Sequence, residues 1–335
     1  MNKLSGSTIF ILLFFTLKGF GGNPLRLPTA IKTFGSPPSY TKDTSKKSTT
    51  VDTTKKAADD TADDDDDNLR SYAMGLTYGS DQSFHGIHSG KQLPYLEPNF
   101  TYTAPSGFYT LLSFQDILIK KGGLDAMDIN PGWDITLADN TTLNFNISHY
   151  TFRKGTPATI KSDLSNEVAT YIDQWVGETE GKFTVAYDYY KQTDSLKTPG
   201  DIMLTPDLAH TFTIKFSGKS SLSIIPEADI DFGTRNAYSQ YESAVDTAAV
   251  YKEVRKNGKL VRQYTPPNNT SFGTVDYNFI LTLDLKIGHF EFQPAFTHNK
   301  SLYNPTTNGV SVAPTTPLNS LTIALVYTID HHCKK

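Results

Sequence analysis

Acidic side chains recur at even spacing along this chain. Asp128 and Asp134, Glu167 and Asp173, Asp188, the triplet Glu227, Asp229 and Asp231, Asp276 and Asp284, and Glu291 all stand within alternating apolar and polar stretches. Side chains on a β-strand point alternately to opposite faces, so members of each set share a face. Lys182, Lys215 and Lys286 fall in the same phase, giving eleven acids against three bases. On a lipid-facing surface a midplane Arg or Lys costs about 2–4 kcal/mol and an acid somewhat less, so the alternation assigns these groups to an interior. A lumen lined with carboxylates favours cations. The expected pore-lining residues are Asp128, Asp134, Asp173, Asp188, Glu227, Asp229, Asp231, Asp276 and Asp284.

Other chemistry finds less support. A lipid hydrolase of the outer membrane needs a Ser beside a His that is oriented by a third polar group. The candidates are His88 with Ser89 and His149 with Ser148, and adjacent strand residues point apart. No catalytic residue is assigned. His85 and His88, and the terminal His331, His332 and Cys333, do not supply four ligands at structural-zinc spacing, so no metal is assigned. The Gly-x-x-x-x-Gly-Lys phosphate loop is absent and no cofactor is implied. A net charge of -4 without a basic stripe gives no sign of nucleic acid.

The elements that must position the acids are long amphipathic strands. From Met127 every second residue is apolar through Ile129, Pro131, Trp133, Ile135 and Leu137, and after Ala138-Asp139-Asn140 the pattern returns as Leu143, Phe145 and Ile147. Strands of this length exceed the five or six residues usual in soluble sheets and point to a membrane-spanning barrel. The same alternation predicts twelve strands, at residues 71–81, 94–104, 107–117, 125–137, 141–152, 166–176, 182–192, 208–217, 221–232, 274–287, 289–298 and 319–330. Short and long connections alternate throughout, which places both ends of the barrel on the periplasmic side.

Within the long segment 233–273, Lys256-Asn257-Gly258-Lys259 between alternating runs predicts a separate external hairpin. Aromatics at Tyr72, Tyr78, Phe100, Tyr102, Phe108, Tyr109, Phe152, Trp175, Tyr187, Tyr189, Phe232, Phe279 and Tyr327 fit interface girdles. Pro98, Pro131, Pro226 and Pro294 lie inside strands, where proline cannot donate to a ladder, and they argue against a regular closed sheet unless bulges accommodate them.

Outside the barrel, Lys3 followed by the apolar run from Ile9 to Leu17 and by Gly19, Gly21 and Gly22 reads as a signal peptide over residues 1–22. Residues 23–69, rich in Ser, Thr, Lys and Asp and ending near the run Asp63 to Asp67, read as a disordered linker. The barrel occupies 70–330 and a short tail 331–335. Cys333 is the only cysteine, so stability cannot come from an internal disulfide. Asn-x-Ser/Thr sequons at Asn99, Asn140, Asn146 and Asn269 match the Asn- and Thr-rich composition.

The stretch Ser80-Asp81-Gln82-Ser83-Phe84-His85-Gly86-Ile87 resembles the Ser-Asp-Tyr-x-Phe-Arg-Gly-Ile/Val opening of the TorF-like family of outer-membrane porins. Tyr102-Thr103-Ala104-Pro105-Ser106-Gly107-Phe108-Tyr109 is similar to that family's second hairpin. His149-Tyr150-Thr151-Phe152 and Asn166-Glu167-Val168-Ala169-Thr170-Tyr171 match more loosely. The resemblance covers roughly residues 71–235, with a weaker echo to 298. His85 departs from the family's Arg, and the chain ends without the aromatic residue common in outer-membrane proteins. The resemblance implies location and architecture, since most of the family's members have no assigned function.

The sequence therefore reads as all-β: a closed antiparallel transmembrane β-barrel of about twelve strands, of outer-membrane type. Its expected function is that of a narrow porin-like channel for passive diffusion, with a cation-preferring acidic lumen and no enzymatic activity. Its partners are outer-membrane lipid and small hydrophilic solutes or cations, with a monomer favoured. The alternatives are a non-conducting structural or adhesive barrel that binds through its 233–273 loop and, behind it, a lipid hydrolase. A soluble extracellular β-sandwich is a third architecture to test.

Overall fold

A computed structural model of the chain describes residues 69–81, 83–84, 87–88, 92–119, 123–153, 164–190, 200–216, 220–234, 251–264, 272–302, 306–307, 310–311 and 317–332. The expected signal peptide, almost all of the linker, His85, Ser89, Asn269 and Cys333 lie outside the described residues.

The alternating stretches form one sheet. Its strands are β1 (Leu69–Gly79), β2 (Tyr95–Thr103), β3 (Phe108–Ile117), β4 (Ala126–Ala138), β5 (Thr141–Phe152), β6 (Leu164–Val176) and β7 (Thr179–Tyr190). They continue with β8 (Asp201–His210, resuming as Phe212–Lys215), β9 (Ser220–Gly233), β10 (Gly273–Ile287), β11 (Phe290–Ser301) and β12 (Leu318–His332). Each strand pairs antiparallel with the next, and β12 pairs with β1 from His332 opposite Leu69 to Thr322 opposite Gly79. The result is a closed twelve-stranded barrel, in which every backbone ladder finds a neighbour and no sheet edge remains. It is a single closed sheet, not the two packed sheets of a sandwich.

Most boundaries move by one to three residues from the sequence reading, and three of the differences have a clear cause. The eighth strand begins at Asp201 and not at residue 208, because Ile202, Leu204, Pro206 and Leu208 keep one outward phase straight through the proline. The seventh begins at Thr179, since the turn before it needs only Gly177 and Glu178, with Gly177 at φ 63. The last runs to His332, which places both terminal histidines in a strand and not in the tail.

The barrel is inverted relative to a soluble protein. Trp133, Ile147, Leu208, Leu283, Phe292 and Leu325 are exposed on the outside, while Asp128, Asn130, Asn144, Ser148 and Asp188 are buried inside. A continuous exposed apolar surface around a closed sheet is what lipid stabilises. No helix among the described residues is long and apolar enough to cross a membrane, so strands do the spanning.

The prolines are accommodated by a repeated local device. Pro98, Pro131, Pro206 and Pro294 each keep backbone pairing with one neighbouring strand, opposite Leu76, Thr110, Phe183 and Ile323 respectively. On the other side each leaves a break two positions long. At each break the inward position beside the proline carries a polar pair: Glu97 faces Gln115, Asn130 faces Ser148, Thr205 faces Asp231 and Gln293 faces Asp284. Asn130 Nδ2 donates to Ser148 Oγ at 2.5 Å, Gln293 Nε2 donates to Asp284 Oδ1 at 3.2 Å, and the Thr205 hydroxyl donates to Asp231. Side-chain hydrogen bonds thus tie strands together where proline has no N–H to offer. Pro226 marks a further break, opposite His210, with apolar Ile225 on its inward side.

The external hairpin forms as expected, pairing Tyr251–Lys256 with Lys259–Tyr264. Asn257 at φ 53 and Gly258 at φ 76 adopt the left-handed backbone that a tight hairpin turn requires.

Candidate functional site: an acidic interior beneath an apolar collar

All nine expected residues lie on the inner face of the barrel. Asp128, Asp173, Asp188, Glu227, Asp229, Asp276 and Asp284 are buried, and Asp134 and Asp231 are partly buried. Asp128 and Asp134 sit on β4, Asp173 on β6, Asp188 on β7, Glu227, Asp229 and Asp231 on β9, and Asp276 and Asp284 on β10. Glu167 shares this face, opposite Asp188 in register.

The closest convergence is across β8, β9 and β10. Oxygen atoms of Asp207, Glu227 and Asp229 lie within 4.8 Å of one another, as do those of Asp229, Asp231 and Asp276. Asn278 Nδ2 donates to Asp229 at 2.7 Å, and Asn299 Nδ2 donates to Asn278 at 2.6 Å. Lys182 on β7 meets Asp207 at 3.2 Å with little solvent on either side chain. An all-oxygen donor set of this kind has the chemistry of a hard-cation ligand. Sequence spacing assigns no metal, because Asp207 and Asp276 reach the β9 acids only from the neighbouring strands β8 and β10.

The balance of charge is more acidic than the sequence implied. Glu97, Glu180 and Asp207 are also buried on the inner face, whereas Lys215 is exposed at a strand end and Lys286 pairs with Glu291 at 3.1 Å while half exposed. Among the described residues Lys182 is the base set within the wall. Asp207 and Glu180 are hidden in the sequence because each lies in a segment, 193–207 or 177–181, whose Pro or Gly content looks like a connection. Glu97 lies in an expected strand, and its place in the polar phase with Asn99, Thr101 and Thr103, against Leu96 and Phe100, is the signal that marks it as inward.

Three aromatics assigned to the girdle turn inward instead. Tyr109 and Trp175 are buried, and Phe152 packs on the buried cluster of Tyr150, Leu164 and Tyr190. Tyr109 crosses the face of Gly132 to Asn144, whose Nδ2 donates to the tyrosine oxygen at 2.9 Å and to Asp134 at 2.7 Å.

The large apolar side chains of the interior gather mainly at one end. Leu93 and Tyr95 precede or open β2, Ile117 closes β3, Tyr150 nears the end of β5, Leu164 opens β6, Tyr190 closes β7, Met203 is near the start of β8 and Leu318 opens β12. Each of these ends carries a long connection. The collar they form is buried and is pinned by carboxylates at the bases of those connections. Asp81 accepts the Leu93 N–H at 3.1 Å and Asp125 accepts the Ile117 N–H at 3.0 Å. Asp201 accepts the Tyr190 hydroxyl at 2.7 Å and the Thr234 hydroxyl at 2.8 Å.

The Ser148 and His149 pair is not a nucleophile with its base. Ser148 is buried inside and bonded to Asn130, while His149 is exposed outside with its Nδ1 2.8 Å from Asn166 Oδ1.

A closed antiparallel barrel with a polar interior and an apolar exterior is a membrane-spanning barrel of outer-membrane type. Its solved structural neighbours include the KdgM porin, at TM-score 0.41 and 5% identity over 76% of this chain and 98% of that one. The NanC porin aligns at 0.40 and 10% identity over 76% and 98%, and LpxR from Salmonella typhimurium at 0.43 and 4% over 76% and 99%. No protein-family model and no curated protein matches the chain.

Proposed function

We propose that the chain is an outer-membrane barrel of the porin class that gives small solutes a narrow, cation-preferring path. The observation that carries this reading is the inner face, where buried carboxylates stand on β2, β4 and β6 to β10 and Lys182 is the base within the wall among the described residues. Fixed negative charge in a low-dielectric passage attracts cations and repels anions. The resemblance of Ser80 to Ile87 and of Tyr102 to Tyr109 to the TorF-like family supports the same class. The serine candidate Ser148 bonds to Asn130 inside the barrel while His149 lies outside, and the reading is of a non-enzymatic protein.

Planar-bilayer recording of the refolded full chain tests it. Conductance with reversal potentials near the cation limit is expected, and a clear anion preference would overturn it.

A second reading, a non-conducting structural or adhesive barrel, is favoured by the near-complete burial of the inner face and by the hairpin at Tyr251–Tyr264. It predicts a correctly folded barrel with no conductance, together with adhesion that is lost when residues 251–264 are deleted.

A further inference from the structure

We infer that the barrel carries a binding site for a phosphate-bearing lipid of the outer leaflet, on its outer wall where β10, β11 and β12 reach the external end. The inference rests on the outer-membrane architecture and is independent of whether the interior conducts.

The lipid-facing positions of these three strands are apolar up to that end, where the character changes. Lys300 stands opposite Tyr277, and His298 stands between Phe279 on one side and Asn319 on the other. Tyr277, Lys300, His298 and Asn319 share the outward phase, since their neighbours Asp276, Asn299 and Leu318 are buried inside. The long connections before β10 and between β11 and β12 mark this end as external. Within the twelve strands, and among the described residues, Lys300 is the one Lys or Arg on the outer face at this end.

The group is positioned as well as basic. His298 Nδ1 lies 2.8 Å from Asn319 Oδ1, and an amide oxygen can only accept, so Nδ1 donates and Nε2 is left for a ligand. The Tyr277 ring lies beside the imidazole, with centroids 6.2 Å apart. The Lys300 ammonium and the Nε2–H of a protonated imidazole both suit a phosphate, to which they give charge-assisted hydrogen bonds. One step towards the midplane, Phe279, Phe296 and Leu321 are exposed. They form an apolar track for the acyl chains of a headgroup held above them, which is why the occupant is a lipid and not free phosphate.

Across the barrel, His149 repeats the pairing with Asn166 at 2.8 Å, yet the next outward residue on β5 is Thr151 and not a lysine. That histidine therefore serves as an internal control.

The test loads the refolded full chain in detergent with diphosphoryl lipid A, with the same lipid stripped of its phosphates, and with inorganic phosphate, and follows retention by native mass spectrometry. The expected result is one diphosphoryl lipid A held per barrel and weaker retention of the other two. Lys300→Gln combined with His298→Gln should weaken that retention by about tenfold or more, the loss of a charge-assisted hydrogen bond, whereas His149→Gln leaves it unchanged. Heat-modifiable migration confirms that each variant is folded. Equal retention of the stripped and diphosphoryl lipids would reduce the group to interface anchors and overturn the inference. Inorganic phosphate held as tightly as lipid A would overturn the lipid as occupant. Retention that the double variant does not weaken, or that His149→Gln weakens equally, would overturn the placement of the site.

Discussion

Asn130 faces Ser148 across the place where β4 and β5 exchange no backbone pairing, and the two side chains close that break with a 2.5 Å hydrogen bond. The break exists because Pro131 has no N–H to give to β5. Both bonding groups are buried, so removing one leaves the other unsatisfied, at a cost of about 1–3 kcal/mol. Asn130→Ala should therefore lower the urea midpoint of the refolded barrel. In a Pro131→Ala background, where a backbone N–H can bridge the strands, the same change should cost less. Equal costs in the two backgrounds, measured as a double-mutant cycle, would remove the compensating role.

Tyr109 depends on the absence of a side chain at Gly132. A Cβ there would overlap the tyrosine ring, which crosses β4 to reach Asn144 on β5. Gly132→Ala should destabilise by about 1–3 kcal/mol, the usual cost of overpacking. Tyr109→Leu should relieve the part of that penalty due to the ring, but not the part due to the Phe145 carbonyl oxygen, which would lie 2.8 Å from the new Cβ. Unfolding midpoints of the two single variants and the double variant measure the relief, and additive losses would show that the contact does not matter.

How far the sequence spoke for the fold follows from these examples. Met127 to Phe152 was legible because its apolar positions repeat at period two over a length that few soluble strands reach. The start of β8 was not, because Pro206 and the acids around it look like a loop until the partner strands hold them in phase. Phase also failed at strand ends. Tyr150 and Tyr95 are amphipathic side chains near strand ends that suit either lipid or lumen, so the collar is hidden in the sequence, and Tyr109, Trp175 and Phe152 pass for girdle residues. The individual acids were visible, but their grouping was not. Asp207 meets Asp229 only because β8 and β9 share a register, and no local spacing encodes that.

Lys182 holds the acidic wall together at its most crowded point. Its ammonium pairs with Asp207 at 3.2 Å, beside Glu227 and Asp229. Breaking a buried pair by removing one partner costs about 3–5 kcal/mol, because an uncompensated charge stays behind. Lys182→Met should therefore be strongly destabilising, and the further change Asp207→Asn should recover much of the loss. Chemical denaturation in detergent measures both. If Lys182→Met costs no more than a surface substitution, the pair is not a structural one.

The orientation of the wall is open to a direct exchange of charge between two adjacent residues. Ile135 is 43% exposed on the outer face, whereas Asp134 lies on the inner face and accepts a hydrogen bond from Asn144. Lysine on the lipid face costs about 2–4 kcal/mol at the midplane and less towards the rim, so Ile135→Lys should reduce insertion. Heat-modifiable migration measures that yield. Asp134→Lys places the same charge where water and carboxylates can neutralise it, so the barrel should assemble. In bilayers, however, its reversal potential should move towards that of an unselective pore. The opposite pattern, with Ile135→Lys tolerated and Asp134→Lys failing to insert, would mean that the face bearing Trp133 points into the barrel, and the acidic interior would then be its outer surface.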